Sequence, residues 1–355
     1  MAIKYVCESC KKQVNYKYLP IQCDSCNGWF HGLCENLNRA QWEKLGKSQC
    51  DWLCKSCFNR TFPFWSLSDN DFESLFVNLN DNEKELLNRC MEFEKVNLDH
   101  NPFNYDRDDI DCGSEDRSTH YVTHNEMYKM CRIINDNFSC IHFNARSLVK
   151  NFENIESMLL LNEAKFAVIG ISETWMTETH NKQYYTLPGY EVYFTNRTNK
   201  KGGGTAMYVR TDYTHECIKE GCYVIENCFE VTTVKVNIKK DKNVYVACIY
   251  RAPGTNVEFF TEKYLELLDK FKGKTMYICG DFNIDLMKYT MHTDTTKYID
   301  SLYSYAMFPL IIKPTRFGDK SATLIDNIFT NDKCNTVKNY ILIDDISDHL
   351  PVFTV

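Results

Sequence analysis

From residue 138 to the end of the chain, short apolar runs alternate with turn-forming residues and with longer amphipathic stretches. The short runs are rich in Val, Ile, Tyr and Phe, which is typical of β-strands. We predict strands at 140–143, 166–171, 205–209, 229–236, 244–250, 276–279 and 324–329. Two stretches, 152–163 and 257–271, have the apolar spacing of helices. This mixture predicts one α/β or α+β domain over 138–355, not an all-β one.

The preceding residues divide into two segments. Residues 1–60 have little apolar periodicity and many cysteines, so their core must depend on something other than hydrophobic burial. Residues 61–137 carry 17 acidic side chains against seven basic ones. We predict that this segment is an acidic linker, partly helical, with a short helix at 72–90 and a solvated spacer at 106–116.

The distribution of charge leaves a nucleic-acid partner open. The net charge is −7, but residues 1–60 carry nine basic against five acidic side chains, and residues 138–355 carry 25 against 26. The acidity therefore lies in the linker, and a positive rim on either end segment remains compatible with it. No apolar run has the length of a signal peptide or a membrane span. The sequence predicts no membrane partner and a nuclear protein with cytoplasmic transit.

Cysteine and histidine side chains near the N-terminus have metal-ligand spacing. Eight of the 18 cysteines fall within residues 7–57, and the other ten are scattered singly, as expected for reduced thiols. The candidate ligands are Cys7, Cys10, Cys23, Cys26, His31, Cys34, Cys54 and Cys57. Because zinc takes four such donors in a tetrahedron, eight ligands predict two Zn²⁺ ions.

The order of four cysteines, one histidine and three cysteines, with Trp52 two residues before Cys54, resembles the PHD finger. A RING finger would instead have histidine at the fourth ligand, which here is Cys26. The resemblance implies interleaved binding, with one zinc on Cys7, Cys10, His31 and Cys34 and the other on Cys23, Cys26, Cys54 and Cys57. Cys50 is left over.

Trp29 leaves two functions open for the finger. Many PHD fingers bind histone tails through an aromatic cage around methylated lysine, and Trp29 occupies a place where such fingers carry a cage residue. Alternatively, Trp29 packs beside the second zinc and the finger docks another protein.

Polar side chains follow several of the predicted strands. Asn144, Glu173, Tyr250, Asp281 and Asn283 each come at or just past the end of an apolar run. Strand ends present side chains to a shared edge of a sheet, so we expect these groups to meet. Hydrolysis of a phosphodiester needs such carboxylates, amides and an imidazole around a metal ion.

Asp326 lies inside an apolar run, where a carboxylate is costly unless it is paired. We predict that His349 is its partner, which leaves Asp348 free for metal. Each motif alone is also compatible with a turn, a loop or a helix cap.

Together these motifs resemble the endonuclease/exonuclease/phosphatase superfamily, a four-layer α/β sandwich fold, from about residue 138 onward. The motifs that carry the resemblance also look like the branch found in non-LTR retrotransposon proteins: Ile-Ser-Glu-Thr-Trp (171–175), Lys-Gly-Gly-Gly-Thr-Ala-Met-Tyr-Val (201–209), Tyr-Arg-Ala-Pro (250–253), Gly-Asp-Phe-Asn-Ile-Asp (280–285) and Ser-Asp-His-Leu-Pro-Val (347–352). Pro-Thr-Arg (314–316) and the long run 321–331 belong to the same set and favour that branch over lipid or inositol phosphatases.

The resemblance implies an enzyme that nicks double-stranded DNA. Glu173, assisted by Asn144 and Asp348, would hold Mg²⁺ or Mn²⁺. Asp281 would deprotonate the attacking water beside Asn283. His349, oriented by Asp326, and Tyr250 would contact the phosphate oxygens, with help from Ser347. The alternatives are a degenerate nuclease domain in a non-enzymatic chromatin reader, or the same chemistry on abasic DNA or a phosphorylated small molecule.

Arg197, Lys200 and Lys201 precede three glycines and are candidates for DNA contacts, although a solvated hairpin loop accounts for them equally well. Nothing in the chain resembles a polymerase palm, so we predict no reverse transcriptase activity. The chain ends six residues after His349, and we therefore expect its last strand to be poorly completed.

Overall fold

The chain divides into an N-terminal unit, Met1–Leu79, and a C-terminal unit, Asn80–Val355. The computed structural model describes residues 5–14, 18–23, 26–35, 39, 42, 54, 80–97, 119–197, 202–239, 242–318, 321–332 and 338–355. In the N-terminal unit, β1 (Pro20–Gln22) and β2 (Trp29–His31) pair antiparallel. Its small core is formed by Phe30 with three cysteines, so thiols take the place of aliphatic side chains there.

The C-terminal unit contains both helices and strands. Its helices are α1 (Asp81–Asn97), α2 (His124–Lys129), α3 (Cys131–Asp136), α4 (Leu148–Leu161), α5 (Val257–Lys270) and α6 (Thr293–Ser304). Its strands are β3 (Thr119–Val122), β4 (Cys140–Asn144), β5 (Val168–Ser172), β6 (Tyr190–Thr195), β7 (Thr205–Arg210), β8 (Thr214–Cys217), β9 (Tyr223–Ile225), β10 (Phe229–Lys239), β11 (Lys242–Arg251), β12 (Met276–Asp281), β13 (Phe308–Pro309), β14 (Arg316–Gly318), β15 (Ser321–Thr323), β16 (Asp326–Thr330), β17 (Asn339–Leu342) and β18 (Val352–Thr354).

Two seven-stranded sheets form the centre of this unit. One has the order β3-β17-β18-β4-β5-β7-β6, and the other has the order β13-β16-β12-β11-β10-β8, with β9 also paired to β10. The sheets pack face to face, with β4 against β12 and β5 against β11. Parallel pairs, β4 with β5 and β11 with β12, bring the carboxyl ends of strands together in each sheet.

Alternation along the strands separates the two faces of each sheet. Ile141 and Phe143 of β4 join a core that includes Phe152 and Ile155 of α4. Cys140, His142 and Asn144 therefore face the second sheet. On that sheet, an aromatic cluster of Phe260, Tyr264, Phe282, Tyr298 and Phe329 joins α5 and α6 to the strands. The layers run helix, sheet, sheet, helix, which confirms the predicted four-layer sandwich.

Each of the seven predicted strands corresponds to an observed one, and both predicted helices are present as α4 and α5. The helix predicted at 72–90 is observed as Asp81–Asn97; residues 72–79 lie outside the described residues. Two expectations differ from the structure. The folded unit starts well before residue 138, because β3 pairs with β17 in the first sheet. The last strand is complete, since β18 lies between β17 and β4.

In the described part of the chain, no helix is both long enough and apolar enough to cross a bilayer.

Candidate active site

The ends of five strands meet at one edge of the sandwich. Asn144 lies beside Ser172 in the register of β4 and β5. In the other sheet, Asp281 lies between Tyr250 and Asp326 in the registers of β11, β12 and β16. The parallel pairs therefore place polar side chains from both sheets around one mouth, as the sequence predicted.

Asn144 connects the two sheets at this edge. Its Nδ2 donates to Glu173 Oε1 at 3.0 Å and to Asp281 Oδ2 at 2.8 Å. Its Oδ1 accepts a hydrogen bond from the main-chain N–H of Arg146. A single neutral amide thus links two carboxylates that lie 108 positions apart in the sequence, Glu173 and Asp281.

Glu173 is fixed by its backbone and by a neighbouring indole. Its φ is 54°, in the left-handed region that non-glycine residues rarely adopt, and Trp175 has the same φ. Trp175 Nε1 donates to Glu173 Oε2 at 3.0 Å. Strained backbone of this kind is concentrated at functional sites in proteins. Trp175 is a site residue that sequence reasoning missed, although it stands in the quoted motif 171–175.

Asp281 is fully buried and accepts three hydrogen bonds. Two of these come from Asn283, through its main-chain N–H at 2.9 Å and its Nδ2 at 3.1 Å. Asn283 itself has a left-handed backbone, with φ 48°, which turns its amide back toward the carboxylate. Burial, and then the negative charge of Asp326, raise the pKa of Asp281 to about 7. A carboxylate with this pKa can accept a proton near neutral pH.

His349 and Asp326 form the predicted pair. His349 Nδ1 lies 2.9 Å from Asp326 Oδ2, and the same oxygen accepts a hydrogen bond from Thr315 Oγ1 at 2.8 Å. Burial lowers the pKa of His349, but the charge and hydrogen bond of Asp326 outweigh burial and raise the pKa to about 9. The imidazole is therefore protonated at neutral pH, with Nε2 as the donor directed away from Asp326.

Ser347 ties this pair to the first sheet. Its hydroxyl donates to the main-chain oxygen of Asn144 at 2.7 Å and accepts from the main-chain N–H of His349 at 3.1 Å. The loop that carries His349 is thereby anchored to the end of β4.

Asp348 is paired with arginines, which differs from the prediction that it is free for metal. Arg146 Nη1 lies 2.8 Å from Oδ1, and Arg316 reaches Oδ2 with two nitrogens. Arg316 belongs to the Pro-Thr-Arg motif, so that motif contacts both acidic partners of the site, Asp326 through Thr315 and Asp348 through Arg316. Neither arginine was predicted as a site residue.

Arg197 is also placed differently from its prediction as a DNA contact. Its side chain is 9% exposed and its Nε lies 2.5 Å from Glu230 Oε1, inside the fold. The guanidinium lies over the ring of Tyr250, 5.7 Å from its centroid. Its partner, Glu230, lies within the predicted strand 229–236, and nothing in the sequence of that strand indicates an ion pair with Arg197. Lys200 and Lys201 lie outside the described residues.

Tyr250 completes the site. Its side chain is buried, and burial together with the negative charges of Glu173 and Asp281 raises the pKa of its phenol far above the ordinary range. The phenol therefore stays protonated and is a hydrogen-bond donor at any physiological pH.

In the N-terminal unit, the structure brings together two groups of candidate zinc ligands. Ligand atoms of Cys7, Cys10, His31 and Cys34 lie within 4.8 Å of one another, and so do those of Cys23, Cys26 and Cys54. These are the sets that the resemblance to a PHD finger implies, except that Cys57 lies outside the described residues. His31 Nε2 lies 3.1 Å from the main-chain oxygen of Gln13, an arrangement that orients Nδ1 toward the thiols and fits zinc.

A family model that spans this site matches the chain. The Endonuclease/Exonuclease/phosphatase family matches residues 141–349, more than half of the sequence, and the chain belongs to this family. Its name covers three kinds of enzyme that hydrolyse phosphate esters. A second model, described as a Pygopus, PHD-type zinc finger, matches residues 4–61. No curated protein matches the chain.

Several solved structures are similar to part of this chain. AP endonuclease LMAP from Leishmania major has a TM-score of 0.52 and 13% identity over 61% of this chain and 86% of its own. The endonuclease domain of TRAS1, a telomere-specific non-LTR retrotransposon, has a TM-score of 0.48 and 16% identity over 61% and 96%. The 3′ phosphatase NExo from Neisseria has a TM-score of 0.47 and 13% identity over 61% and 98%.

Proposed function

We propose that the C-terminal unit is a divalent-metal-dependent endonuclease that nicks double-stranded DNA and leaves a 3′-hydroxyl, as expected of non-LTR retrotransposon proteins. The observation that carries this proposal is the Asn144 amide, which holds the Glu173 and Asp281 carboxylates together at the mouth of the sandwich. Thr315 and Arg316, from the motif that favours this branch of the family, support the same site by donating to Asp326 and Asp348.

The donor chemistry of the site fits Mg²⁺ or Mn²⁺. Glu173 and Asp281 offer hard carboxylate oxygens, which these ions prefer. One neutral amide links the two carboxylates, so their negative charge is only partly compensated, and a cation would complete the compensation. Glu173 would be the chief ligand. Asn144 would support it by hydrogen bonding, because its nitrogen, not its oxygen, faces the carboxylates.

When bound, the metal would neutralise the phosphate oxygens of the substrate. The side chains account for the remaining steps. Asp281, with its raised pKa, would take the proton from the attacking water, which Asn283 would hold beside the phosphate. Protonated His349 would donate through Nε2 to a phosphate oxygen as negative charge builds up, and Tyr250 would donate to another.

A plasmid assay tests the enzyme. The parent chain should convert supercoiled DNA to the open circle in Mg²⁺ and lose this activity in a chelator. Glu173→Gln and His349→Asn should each lower the rate at least about 100-fold. Glu153→Gln, which changes an exposed carboxylate on α4, is the matched control and should nick like the parent. Equal nicking by all four proteins, or none by the parent, would leave the non-enzymatic chromatin reader as the better hypothesis.

Substrate choice needs a separate comparison. We expect intact plasmid to be cut at a higher rate than inositol phosphates, because the Pro-Thr-Arg motif resembles the DNA-nicking branch. Faster turnover of an abasic duplex or of the small molecule would show that the proposed substrate is wrong, although the proposed chemistry would still hold.

We propose that the PHD finger binds two Zn²⁺ and docks the protein on chromatin or on another protein. Tyr5 adds a second aromatic ring beside Trp29, with 4.8 Å between ring centroids and 30° between ring planes. The two rings lie closer to stacked than to perpendicular, so Tyr5 covers part of the indole face that a cage would offer to a cation.

Two measurements test the finger. Zinc analysis should give two ions per chain, and removal of zinc should unfold the finger. A trimethyl-lysine peptide from a histone tail should bind the parent more tightly than the unmodified peptide if Trp29 forms a cage wall, and Trp29→Ala should remove the difference. Equal binding of both peptides would favour docking of another protein. A nuclear location follows from this proposal and would be checked by imaging a tagged chain.

A further inference from the structure

A second histidine lies behind the Asp326–His349 pair. His142, on β4, is fully buried between the two sheets. Its Nδ1 lies 3.9 Å from Asp326 Oδ1, whereas His349 binds the other carboxylate oxygen, Oδ2. The aspartate is therefore flanked by two imidazoles, of which only His349 reaches the mouth of the site.

The two facing atoms are both unsatisfied. Among the described residues, His142 Nδ1 and Asp326 Oδ1 are buried polar atoms without a hydrogen-bond partner. The other carboxylate oxygen, Oδ2, already accepts from both His349 and Thr315. An unpaired donor and an unpaired carboxylate oxygen are costly in a dry interior, and pairing them removes both costs. A direct bond requires the ring to approach by about 1 Å.

The opposite nitrogen of His142 faces a serine hydroxyl, which can either donate to the ring or accept from it. Nε2 lies 3.0 Å from Ser172 Oγ, the last residue of β5. If the serine hydroxyl donates to Nε2, the proton of the neutral ring resides on Nδ1 and points at Asp326.

We propose that His142 is a positioning residue that donates from Nδ1 to Asp326 Oδ1 and so keeps Oδ2 directed at His349. This inference rests on the proposed nuclease function and deepens it. Without this contact, the Asp326 carboxylate is held on its Oδ2 side only, by Thr315 and His349. A continuous path, Ser172 to His142 to Asp326 to His349, then connects the strand that precedes Glu173 to the imidazole that faces the phosphate.

Spectroscopy on the full chain tests the contact without any need for activity. With ¹⁵N-labelled histidine, the nine side chains are distinguished by single substitutions, and His142 should be observed as the Nδ1–H tautomer. Asp326→Asn should shift its Nδ1–H signal. An Nε2–H tautomer, or a signal that Asp326→Asn leaves in place, would overturn the proposal.

Kinetics tests the consequence. His142→Leu should lower kcat for nicking about 10-fold with KM unchanged, as loss of an orienting partner does. His142→Asn, which places an amide donor near the Nδ1 position, should recover most of that loss. Cys140→Ala, on the same strand and the same face, is the control for packing and should keep the parent kcat.

A double variant distinguishes a role of His142 in positioning Asp326 from a role in stabilising the fold alone. If His142 acts only through Asp326, His142→Leu should cost nothing further in an Asp326→Asn background. Additive losses, or equal losses for the Leu and Asn variants, would overturn the proposal. If the parent does not nick DNA, the nuclease function fails, whereas the tautomer and its dependence on Asp326 still decide the contact.

Discussion

Arg316 donates two hydrogen bonds to Asp348 Oδ2, from Nε at 2.9 Å and from Nη2 at 2.6 Å. Arg146 pairs with the other oxygen at 2.8 Å. Burial acts to raise the pKa of Asp348, but the positive charges of His349 and the two arginines outweigh it and lower the pKa. A cation at this carboxylate would therefore compete with two arginines for its negative charge.

We therefore predict unequal contributions of Glu173 and Asp348 to metal binding. Glu173→Gln should weaken Mn²⁺ binding by about 30-fold or more, and Asp348→Asn by less than about threefold. Titration of the full chain followed by the electron paramagnetic resonance of free Mn²⁺ measures both. The reverse ranking would place Asp348 among the ligands and show that the arginines move aside.

The buried ion pair of Arg197 with Glu230 predicts a large effect on stability. Glu230 is fully buried, and it also accepts a hydrogen bond from the main-chain N–H of Gly204 at 3.1 Å. Arg197→Met leaves that carboxylate without its cation, and should lower the free energy of unfolding by about 3 kcal/mol. Urea unfolding checks this value.

An exposed pair is the matched control for that substitution. Lys235 and Glu216 lie 2.9 Å apart with side chains 31% and 59% exposed. Lys235→Met should leave the free energy of unfolding close to that of the parent, because an exposed ion pair is screened by solvent. Because Arg197 is buried, Arg197→Met should also leave the salt dependence of DNA binding unchanged. A weaker salt dependence in this variant would mean that Arg197 contacts DNA.

Two glycines predict different responses to a single methyl group. A Cβ at Gly280 would lie 2.0 Å from the main-chain oxygen of Ile249, whereas at Gly170 it would lie 2.5 Å from Cys279 Sγ. Gly280→Ala should prevent folding, since backbone of the paired strand cannot yield. Gly170→Ala should lower the melting temperature, and Cys279→Ala in the same chain should restore most of it. Circular dichroism follows both, and no recovery in the double variant would contradict the packing described.

A site residue could be predicted from the sequence only where its sequence neighbours indicate its role. Glu173 and Asp281 follow apolar strands, and Asp326 interrupts one, so each is visible as an exception to a local pattern. Arg197 is different. Its partner Glu230 lies 33 positions away on β10, and the guanidinium points inward only because the two sheets pack face to face. His142 was equally hidden, because a histidine within an apolar run has no local sign of the aspartate opposite it.

The start of the folded unit was predicted wrongly for a related reason. The acidic composition of 61–137 suggested a linker throughout, but 119–122 is a short strand whose partner, β17, comes more than 200 residues later. The composition of such a segment is set by its many charged residues. A strand of four residues hardly affects that composition, yet it is long enough to pair at the edge of a sheet.

His124 gives that region a dependence on pH. Its Nε2 lies 3.1 Å from Asp344 and 3.4 Å from Glu83 of α1, and Asn162 Nδ2 lies 3.0 Å from its Nδ1. Burial lowers the pKa of His124, but the two carboxylates outweigh burial and raise the pKa to about 9. The imidazole donates from Nε2 to these two carboxylates and so links α1 to the loop after β17.

The sign of the pH effect follows from the raised pKa. A group that is protonated more readily in the folded chain stabilises it fully below its unfolded pKa of about 6.5, and that stabilisation is lost as pH rises through about 9. We expect the free energy of unfolding to fall by about 2 kcal/mol from this source between these pH values, allowing for partial exposure of the ring. Urea unfolding at pH 6.5 and at pH 9.5 should show this loss in the parent and not in His124→Gln. His292→Gln, an exposed histidine changed in the same way, should keep the parent's slope, and an unchanged slope in His124→Gln would mean that the imidazole is not the cation between these carboxylates.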